Sequence, residues 1–469
     1  MNTITFTQLD KKNLLSTTDP KRVAIIQTPS LIESISNSAS LFPKAILHID
    51  GDSFFASVEQ AQNKNLRGKP IVTGAERGIA TSISIEAKRL GITRAMPVWE
   101  IKKKFPEVIV VPGDYETYTI YSKRMYSIVR RYTSVVEEYS IDECFADITG
   151  LQRFHRLTYK GIAERISNDL YKELGVSFSV GLGPTKVIAK LGSGWKKPHG
   201  MTVISKADIE KYLKLTPVRK IWNIGKKTTE RLNKMHIQNA IEIARMQKTT
   251  VEKVFYKPMQ EMWMELNGES VWEVNVTKEK HKSISTTKTF TPPSQDKAFL
   301  FSQLSKNIEE AVSRARKEDL LINSIAIFLK TQDFGYHTVE VKLRDSTNNP
   351  IDIIREAATN FTKIYKPHTD YRATGVWLTK LETKKVEQLD LFGNICRKIG
   401  LQNLYKNLDL VTQKFGKNTV FLGSSFNAVT DPRHVGGKEK VPERRGVILF
   451  GESAKRRVAV PYLGMAWCN

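Results

Sequence analysis

Cysteine is scarce in this sequence of 469 residues. Its three cysteines, Cys144, Cys396 and Cys468, stand singly, and no two of them have the spacing of paired metal ligands. The pattern indicates neither a disulfide framework nor a zinc module. A reducing compartment, the cytoplasm, fits this usage.

Long hydrophobic runs are also missing. The longest runs, such as residues 108–111 and 458–463, are far shorter than a membrane-spanning helix, and Pro461 interrupts the second. The first residues, MNTITFTQLDKK, lack the basic stretch and the continuous apolar segment of a secretory signal. We expect a protein that neither spans a membrane nor is exported.

Acidic residues are outnumbered. Aspartate and glutamate total 49 against 73 lysines and arginines, which gives a net charge of +24. Such an excess favours a polyanionic partner, either nucleic acid or an anionic membrane, and nucleic acid fits better. The length exceeds what one hydrophobic core comfortably holds and suggests roughly two to four domains.

Changes in pattern along the chain indicate where these domains lie. The predicted segments are an N-terminal extension (1–43), a mixed α/β domain (44–205), a small helical module (206–280), a second α/β module (281–382) and a basic tail (383–469). In the second α/β module, strands are predicted at 322–331, 338–344 and 372–381, with a helix at 297–317. The polar stretch HKSISTTKTF before them is not predicted to be a strand.

Two clusters of acidic residues adjoin apolar runs. In HIDGDSFFASVE, Asp50 and Asp52 follow such a run directly. In EEYSIDECFADIT, Asp142 and Glu143 lie between two runs that can pair as the strands of a hairpin. If the strand that ends at Asp50 neighbours this hairpin, Asp50, Asp142 and Glu143 face one point.

Carboxylate oxygens in such a cluster suit Mg²⁺, and two ions about 3.5–4 Å apart promote in-line phosphoryl displacement. The competing interpretation is that these acids are ordinary strand-end or turn residues. For Asp52 we keep a structural role, as a cap of the helix expected to start near Phe54.

The two acidic segments resemble the carboxylate motifs of the Y-family translesion DNA polymerases. The resemblance continues through GIATSISIEAKRLGI, VGLGPTKVIAKLGSGWKKPHG, IWNIGKKTTERLNKMHI and KSISTTKTF, in the order and spacing of the family, and covers residues 44–382. The segment EYSIDE resembles the UmuC-like catalytic subunit of DNA polymerase V more closely than DNA polymerase IV.

The resemblance implies an α+β multidomain fold shaped as the right hand of the Y family. Its parts are a ferredoxin-like mixed-sheet palm (44–54 and 114–205), small fingers (55–113), a helical thumb with a helix-hairpin-helix motif (206–280) and an α/β little finger (281–382). The extension 1–43 and a tail, 383–469, complete the chain.

The resemblance also assigns the metal ligands. Asp50 and Asp142 match the bridging ligands of two Mg²⁺ ions, Glu143 matches the third carboxylate, and Gly51 matches the position that adds a backbone carbonyl. Phe55 matches the steric gate, whose ring excludes a ribose 2′-hydroxyl. The expected product is therefore DNA rather than RNA.

A nucleotide triphosphate is expected at the start of the helix that follows Asp50, where backbone N–H groups can hold it. The residues implied in dNTP binding are Ser53, Phe54, Phe55, Ser82, Lys88 and Lys197. The chain departs from the family at Ile85 and Lys88, where many members read tyrosine and arginine. At position 88, a compact lysine ammonium replaces a planar arginine guanidinium, and this change is expected to affect nucleotide affinity.

Lysines near the palm and thumb are candidates for DNA contacts. The segment GLGPTK lacks the ending of a Walker motif, which argues against an ATPase. Lys186 and Lys190 are four residues apart on the helix expected next, so both project from one face towards DNA phosphates. Gly225 and Lys226 lie in a turn that resembles the hairpin of the thumb, where amides bind a phosphate. A plain helix cap is the alternative.

The alternating strands of the second α/β module carry further cations. They place Lys330, Lys342 and Arg344 where a sheet meets the backbone of a duplex. Trp377 is expected in the core rather than as a stacking platform.

The segment EQLDLFG resembles the bacterial β-clamp-binding peptide, with Gln388, Leu389, Leu391 and Phe392 as its anchors. A short strand in a C-terminal domain is the alternative. Beyond residue 400 the chain is similar to the C-terminal region of UmuC-like proteins, which implies a UmuD-like accessory subunit or a RecA filament as a partner.

The leading hypothesis is a DNA-directed DNA polymerase that extends primers past damaged bases with low fidelity, in SOS damage tolerance. Its implied partners are primer–template DNA, dNTPs and the bacterial sliding clamp. A catalytically silent, clamp- and DNA-bound scaffold is one alternative, against which the intact Asp50, Asp142 and Glu143 argue. A nucleotide cyclase is another, but it would leave the hairpin, the basic sheet and the clamp peptide without a purpose.

Overall fold

The computed structural model describes residues 42–277, 280–383, 394–415 and 418–430. In these ranges, no helix combines the length and the apolar character that a membrane crossing requires. By internal contacts the chain divides into two compact units. The first comprises the described residues of 1–50, 128–173 and 177–274, and the second those of 51–127, 174–176 and 275–469.

The strands of the described residues form three sheets. They are β1 (Ile46–Gly51), β2 (Ile71–Thr73), β3 (Ser82–Ile83), β4 (Ile109–Val111), β5 (Val136–Ser140), β6 (Glu143–Asp147), β7 (Phe178–Gly183), β8 (Met201–Val203), β9 (Ile284–Ser294), β10 (Leu320–Thr331), β11 (Tyr336–Thr347) and β12 (Tyr371–Thr383). The sheet orders are β5-β6-β1-β7-β8, β3-β2-β4 and β11-β10-β12-β9.

The α-helices lie between these strands and after the last of them, and five of those that the structure describes, α8 to α12, follow one another without an intervening strand. They are α1 (Phe54–Gln62), α2 (Ile85–Arg89), α3 (Val98–Lys104), α4 (Tyr115–Val129), α5 (Gln152–His155), α6 (Tyr159–Leu174), α7 (Lys186–Trp195), α8 (Ile209–Lys214), α9 (Lys226–Lys234), α10 (Ala240–Ala244), α11 (Lys248–Val254), α12 (Lys257–Leu266), α13 (Lys297–Lys317), α14 (Pro350–Ile364), α15 (Asn394–Phe415) and α16 (Phe426–Thr430).

The five-stranded sheet of the first unit has β1 and β7 among its inner strands. Every residue of β7 is buried, which explains its continuous apolar character. Helix α7 packs directly on this strand, because a Cβ at Gly181 would lie only 1.9 Å from the carbonyl oxygen of Ala189. The glycines of GLGPTK therefore serve close helix–strand packing.

The helical module that follows β8 has its own apolar core. Ile209, Leu232, Ile243 and Leu266 are among its buried residues, one from each of α8, α9, α10 and α12. Gly225 is the N-cap of α9, so the turn in IWNIGKK leads directly into a helix. The prediction of short helical segments for this stretch agrees with the structure.

The four-stranded sheet of the second unit includes a strand that the sequence did not predict. Strand β9 (Ile284–Ser294) pairs antiparallel with β12 at the edge of the sheet. Its Ser and Thr residues concealed the strand, although Ile284 and Phe290 are buried at even spacing. Helices α13 and α14 contribute to the apolar core of this sheet, with buried Leu304 from α13 and Ile353 from α14.

Residues beyond 400 dock on helix α13. Arg316 of α13 donates to both carboxylate oxygens of Asp409, at 2.8 and 2.9 Å. Glu309 of α13 accepts from the backbone N–H of Leu422 at 3.1 Å and from the hydroxyl of Ser425. The part of the tail that the structure describes is thus attached to this domain through Asp409, Leu422 and Ser425.

Candidate active site

The acidic residues at the end of β1 and the start of β6 lie opposite each other. Strands β1 and β6 are antiparallel, and their register pairs Asp50 with Glu143 and His48 with Phe145. Side chains two apart on a strand share a face, so His48 and Asp50 project to the same side. Among the described residues, the potential ligand atoms of His48, Asp50 and Glu143 all lie within 4.8 Å of one another.

His48 is a member of this cluster that the sequence analysis missed. Its ring is fully buried, with Nε2 3.1 Å from Glu143 Oε2 and Nδ1 2.6 Å from Ser193 Oγ. Burial lowers the pKa of His48 to about 4, so the ring is neutral near neutral pH. The available signal was its spacing, two residues before Asp50 on the same strand.

One face of α7 and the residues just after it meet these carboxylates. Lys190 Nζ donates to Glu143, and Lys197 Nζ donates to Asp50 Oδ1 at 2.5 Å. Lys190 also lies over the ring of Tyr139, 5.1 Å from its centroid. Cations predicted to meet DNA and nucleotide phosphates therefore neutralise the metal-ligand candidates in this structure.

Lys186 begins the same helix but is buried, with only 4% of its surface exposed. Its ammonium donates to both oxygens of Glu137, at 2.8 and 2.7 Å, and lies 4.7 Å from the ring centroid of Phe145. The predicted phosphate contact of Lys186 was wrong, because burial commits this lysine to the interior of the first unit.

The pKa values of the acids reflect this environment. Burial raises the pKa of Asp50, and the charges of Glu143 and Asp142 raise it further, while Lys197 opposes the rise. Burial also acts to raise the pKa of Glu143, but hydrogen bonds from His48 and Lys190 outweigh it and hold the pKa at about 2. Glu143 is therefore ionised near neutral pH.

Asp142 precedes Glu143 in the turn between β5 and β6. Its Oδ1 accepts a hydrogen bond of 2.6 Å from the hydroxyl of Ser140. Its charge acts on Asp50, but its oxygens are not within the compact His48, Asp50 and Glu143 cluster. The structure brings together two of the three predicted carboxylates closely and leaves the third beside them.

In the second unit, Phe55 lies in a cluster of aromatic rings. It stacks on Tyr118 with ring centroids 4.4 Å apart and the planes inclined by 11°, and it meets Tyr115 edge-on at 5.5 Å. Tyr118 is buried and donates to Glu59 at 2.6 Å; burial and the charge of Glu59 raise the pKa of Tyr118. The proposed gate ring therefore has a fixed orientation.

The start of helix α1 contains an unsatisfied hydroxyl. Ser53, not Asp52, is the N-cap residue, so the predicted capping role of Asp52 was wrong. Among the described residues, Ser53 Oγ is buried without a hydrogen-bond partner. The hydroxyl of Ser82 donates to the carbonyl of Ser53 at 3.2 Å and accepts from the N–H of Ala56 at 3.3 Å.

Two other residues of the predicted nucleotide site have different exposures. Phe54 is buried, so only its backbone can meet a ligand, and a Cβ at Gly51 would lie 2.7 Å from its ring. Lys88 lies in the last turn of α2 and is exposed.

Comparison with known families gives three matches along this chain. Residues 49–194 match the impB/mucB/samB family, residues 281–391 match the C-terminal domain of that family, and residues 206–237 match its helix-hairpin-helix motif. DNA polymerase IV of Streptococcus pyogenes serotype M12 (strain MGAS2096) is 31% identical over 355 residues, which cover 74% of this chain and 97% of the relative. The chain belongs to the Y family of DNA polymerases.

Two further comparisons agree with this membership. DNA polymerase IV of Listeria innocua serovar 6a is 30% identical over 356 residues, covering 75% of this chain and 99% of the relative. A solved Y-family DNA polymerase chimera assembled from Dbh and Dpo4 superimposes with a TM-score of 0.60 at 22% identity, over 72% of this chain and all of that chain. The predicted Y-family right-hand fold is confirmed.

The acidic cluster of this Y-family polymerase fits a hard divalent cation. Asp50 and Glu143 present carboxylate oxygens, the ligands that Mg²⁺ prefers. Two lysine ammonium groups neutralise these acids in the structure, which shows that the site has negative charge to balance. The chemistry of the donor set thus agrees with the divalent metals that polymerases of this family use.

The remaining cations predicted to meet DNA lie on two surfaces of the polymerase. Lys226 is exposed in the first turn of α9, next to the N-cap Gly225. Lys342 and Arg344 are exposed on β11, and Lys330 is half-buried on β10 beside Tyr336.

Trp377 does not lie in the core, as the sequence analysis expected. Its side chain is 40% exposed, on the face of the sheet opposite to that of buried Val376 and Leu378. The clamp-peptide anchors, Gln388, Leu389, Leu391 and Phe392, lie outside the described residues.

Proposed function

We propose that this Y-family polymerase performs error-prone translesion synthesis, adding deoxynucleotides to a primer end opposite damaged template bases. The observation that carries the proposal is the register of β1 and β6, which sets Asp50 directly opposite Glu143 with Lys190 and Lys197 at hydrogen-bond distance. This arrangement supports nucleotidyl transfer at a divalent metal centre.

Two Mg²⁺ ions would be held by Asp50, Asp142, Glu143 and the backbone carbonyl of Gly51. When bound, they supply positive charge that stabilises the attacking and leaving oxygens. The chain's own contribution is orientation, because the hydrogen bond of 3.1 Å from His48 fixes the position of the Glu143 carboxylate.

The deoxynucleotide is proposed to bind at the start of α1. The unsatisfied Ser53 hydroxyl at this helix terminus supports a triphosphate there, with Ser82, Lys88 and Lys197 as additional contacts. Phe55, held by Tyr118, would exclude a ribose 2′-hydroxyl.

The finer assignments are part of the same proposal. They comprise the UmuC-like branch, SOS damage tolerance in the cytoplasm, clamp binding through Gln388, Leu389, Leu391 and Phe392, and a UmuD-like subunit or a RecA filament as further partners. DNA contacts are proposed for Lys190, Gly225, Lys226, Lys330, Lys342 and Arg344. The exposure of Lys226, Lys342 and Arg344 supports DNA contacts by these residues.

Primer extension by the purified full chain with Mg²⁺ and deoxynucleotides tests the proposal, on undamaged and on abasic templates. The Asp142→Asn variant should lose extension by roughly a thousandfold, because one ligand of the metal centre is gone. Glu138→Gln is the matched control: this acid lies on β5 in the same hairpin, its ion pair with Arg130 is exposed, and its loss should change little.

Two results would contradict the proposal. Equal extension by the Asp142→Asn variant and the unmodified protein would remove Asp142 from the metal centre. Absence of extension by the unmodified protein, even with a bacterial sliding clamp present, would favour a catalytically silent scaffold.

A further inference from the structure

Helix α12 carries a buried carboxylate at Glu265, a residue with 0% of its surface exposed. Its Oε1 accepts from the backbone N–H groups of Val271 and Trp272, at 2.8 and 2.9 Å. Its Oε2 accepts from the N–H of Val187 at 3.2 Å. Burying a carboxylate is costly unless hydrogen bonds compensate, and bonds to a charged acceptor are strong. Glu265 therefore joins three segments: α12, the chain that follows it and the start of α7.

The start of α7 is bound to α12 by a second contact. The hydroxyl of Thr185, the N-cap residue of α7, donates to the backbone carbonyl of Glu265 at 3.0 Å. The same hydroxyl accepts from the N–H of Ile188 at 3.2 Å, so the cap leaves the N–H of Val187 to the carboxylate. A negative charge beside the first turn also interacts favourably with the helix dipole. Glu265 thus restricts movement of α7 along its axis.

Helix α7 and the residues just after it hold two ammonium groups at the acidic cluster. Lys190 Nζ donates to the carboxylate of Glu143. Lys197 Nζ, two residues beyond the end of the helix, donates to Asp50 Oδ1 at 2.5 Å. A slip of one residue along a helix axis is about 1.5 Å, which is enough to break a hydrogen bond. The position of α7 therefore determines where both ammonium groups lie.

The chain after α12 supports Lys190 from a second direction. With its N–H bonded to Glu265, Trp272 meets Trp222 edge-on, at 5.3 Å between ring centroids. The ring of Trp222 lies 5.6 Å from Lys190 Nζ and 5.4 Å from the ring of Phe145. Glu265 therefore also fixes the ring that packs behind Trp222.

We propose that Glu265 is a positioning residue for nucleotide addition, which places Lys190 and Lys197 at the acidic cluster through α7 and Trp272. Its carboxylate bonds to backbone N–H groups, so it acts through the segments that it joins. The inference rests on the proposed function for its link to synthesis, but the placement of the two lysines can be measured without metal or nucleotide. A glutamate that served stability alone would leave both lysines unaffected in a folded variant.

Acetylation of lysines in the full chain measures this placement. N-hydroxysuccinimide acetate is added at limiting concentration without Mg²⁺ or nucleotide, and mass spectrometry gives the rate at each lysine. An ammonium held against a carboxylate is shielded from the reagent. Glu265→Gln keeps the side-chain size but turns an amide N–H₂ towards backbone donors, so it should raise the rates at Lys190 and Lys197 about threefold or more. Exposed Lys226 is the internal reference, and its rate should not change.

The effect on synthesis is expected in nucleotide binding. Because Lys197 is proposed to contact the triphosphate, Glu265→Gln should raise the KM for the deoxynucleotide about fivefold, with kcat within about twofold of the unmodified protein. If the unmodified protein extends no primer, the proposed function fails, while the acetylation rates still test the placement of the lysines.

Two further variants separate positioning from general loss of packing. Glu242→Gln is the control within the same helical module, because Glu242 also accepts two backbone N–H bonds, from Gln238 at 2.6 Å and Asn239 at 3.2 Å. These bonds lie at the start of α10, so both lysine rates and the KM should stay unchanged. Trp272→Leu removes only the ring behind Trp222, so it should raise the rate at Lys190 and leave that at Lys197 unchanged.

The proposal is overturned if a folded Glu265→Gln variant shows the lysine rates of the unmodified protein. It is also overturned if Glu242→Gln raises these rates equally, which would indicate a general loosening of the helical module. Thermal unfolding shows whether each variant is folded. If Glu265→Gln does not fold, Trp272→Leu decides, and an unchanged rate at Lys190 then overturns the proposal.

Discussion

Lysines of this polymerase occupy two contrasting settings. In the first unit, Lys186 is buried against Phe145 and paired with Glu137. In the second unit, Lys330 lies over Phe334 and Tyr336 on an exposed face. Both contact aromatic rings, but burial makes the first part of the interior and leaves the second available to a ligand. The position of a lysine on a helix or strand therefore does not establish its function until its burial is known.

The largest difference between the two settings is expected in protein stability when each lysine is replaced in turn. Lys186→Ala should lower the free energy of unfolding by about 3–5 kcal/mol, because it leaves the Glu137 carboxylate in the interior without its cation. Lys330→Ala should cost less, about 1 kcal/mol, since Lys330 is only half-buried and its ammonium packs on the rings of Phe334 and Tyr336. Urea-induced unfolding measures both.

The Lys186→Ala, Glu137→Ala double variant is the control for the buried pair. Removing both charges should recover part of the lost stability, because no unpaired buried charge remains. If Lys186→Ala and Lys330→Ala destabilise the protein equally, the contrast between the two settings is wrong.

Replacing the buried His48 extends the comparison to the cluster of Asp50 and Glu143. Replacing a residue that orients a metal ligand commonly costs 10- to 100-fold in metal affinity or activity, so His48→Ala should raise the Mg²⁺ concentration for half-maximal primer extension by roughly that factor. His155→Ala is the matched control, because His155 contacts the backbone carbonyl of Tyr132 instead. An Mg²⁺ requirement unchanged by His48→Ala would reduce His48 to a packing residue.

A substitution at Gly375 tests the outer face of the four-stranded sheet, and its effect on stability is expected to be smaller than that of Lys186→Ala. Gly375→Ala should destabilise the protein by about 1 kcal/mol, because the new Cβ displaces the Phe328 ring. Gly400→Ala on α15, where a Cβ meets open space, should not destabilise the protein, and thermal or urea-induced unfolding measures both variants. If Gly375→Ala were as stable as the unmodified protein, the close packing of Phe328 on Gly375 would not contribute to stability.

Local pattern was enough to predict the parts of the site that lie at strand ends. Asp50 follows an apolar run and Glu143 lies between the two runs of a predicted hairpin, so pairing of the strands brings them together. His48 was missed because a histidine in an apolar strand resembles an ordinary core residue. The period of two along the strand was the available signal for His48, as it was for Trp377 between the buried residues 376 and 378.

Contacts between distant segments could not be predicted in this way. Helical spacing places Lys186 and Lys190 on one face of α7, but it does not reveal that this face meets Glu137 and Glu143 of another part of the chain. Strand β9 was missed for a similar reason, because its pairing with β12 compensates for a Ser- and Thr-rich composition. Such partners are fixed by the tertiary fold.

The docked tail has a consequence for fragments of this protein. The chain leaves the four-stranded sheet at Thr383, and its later residues are held on α13 by the Arg316–Asp409 ion pair and by Glu309. A single cleavage of the backbone between Thr383 and Asn394 would leave the contacts of Asp409, Leu422 and Ser425 with α13 in place. The two pieces are expected to copurify under native conditions and to separate in denaturant, as in fragment complementation.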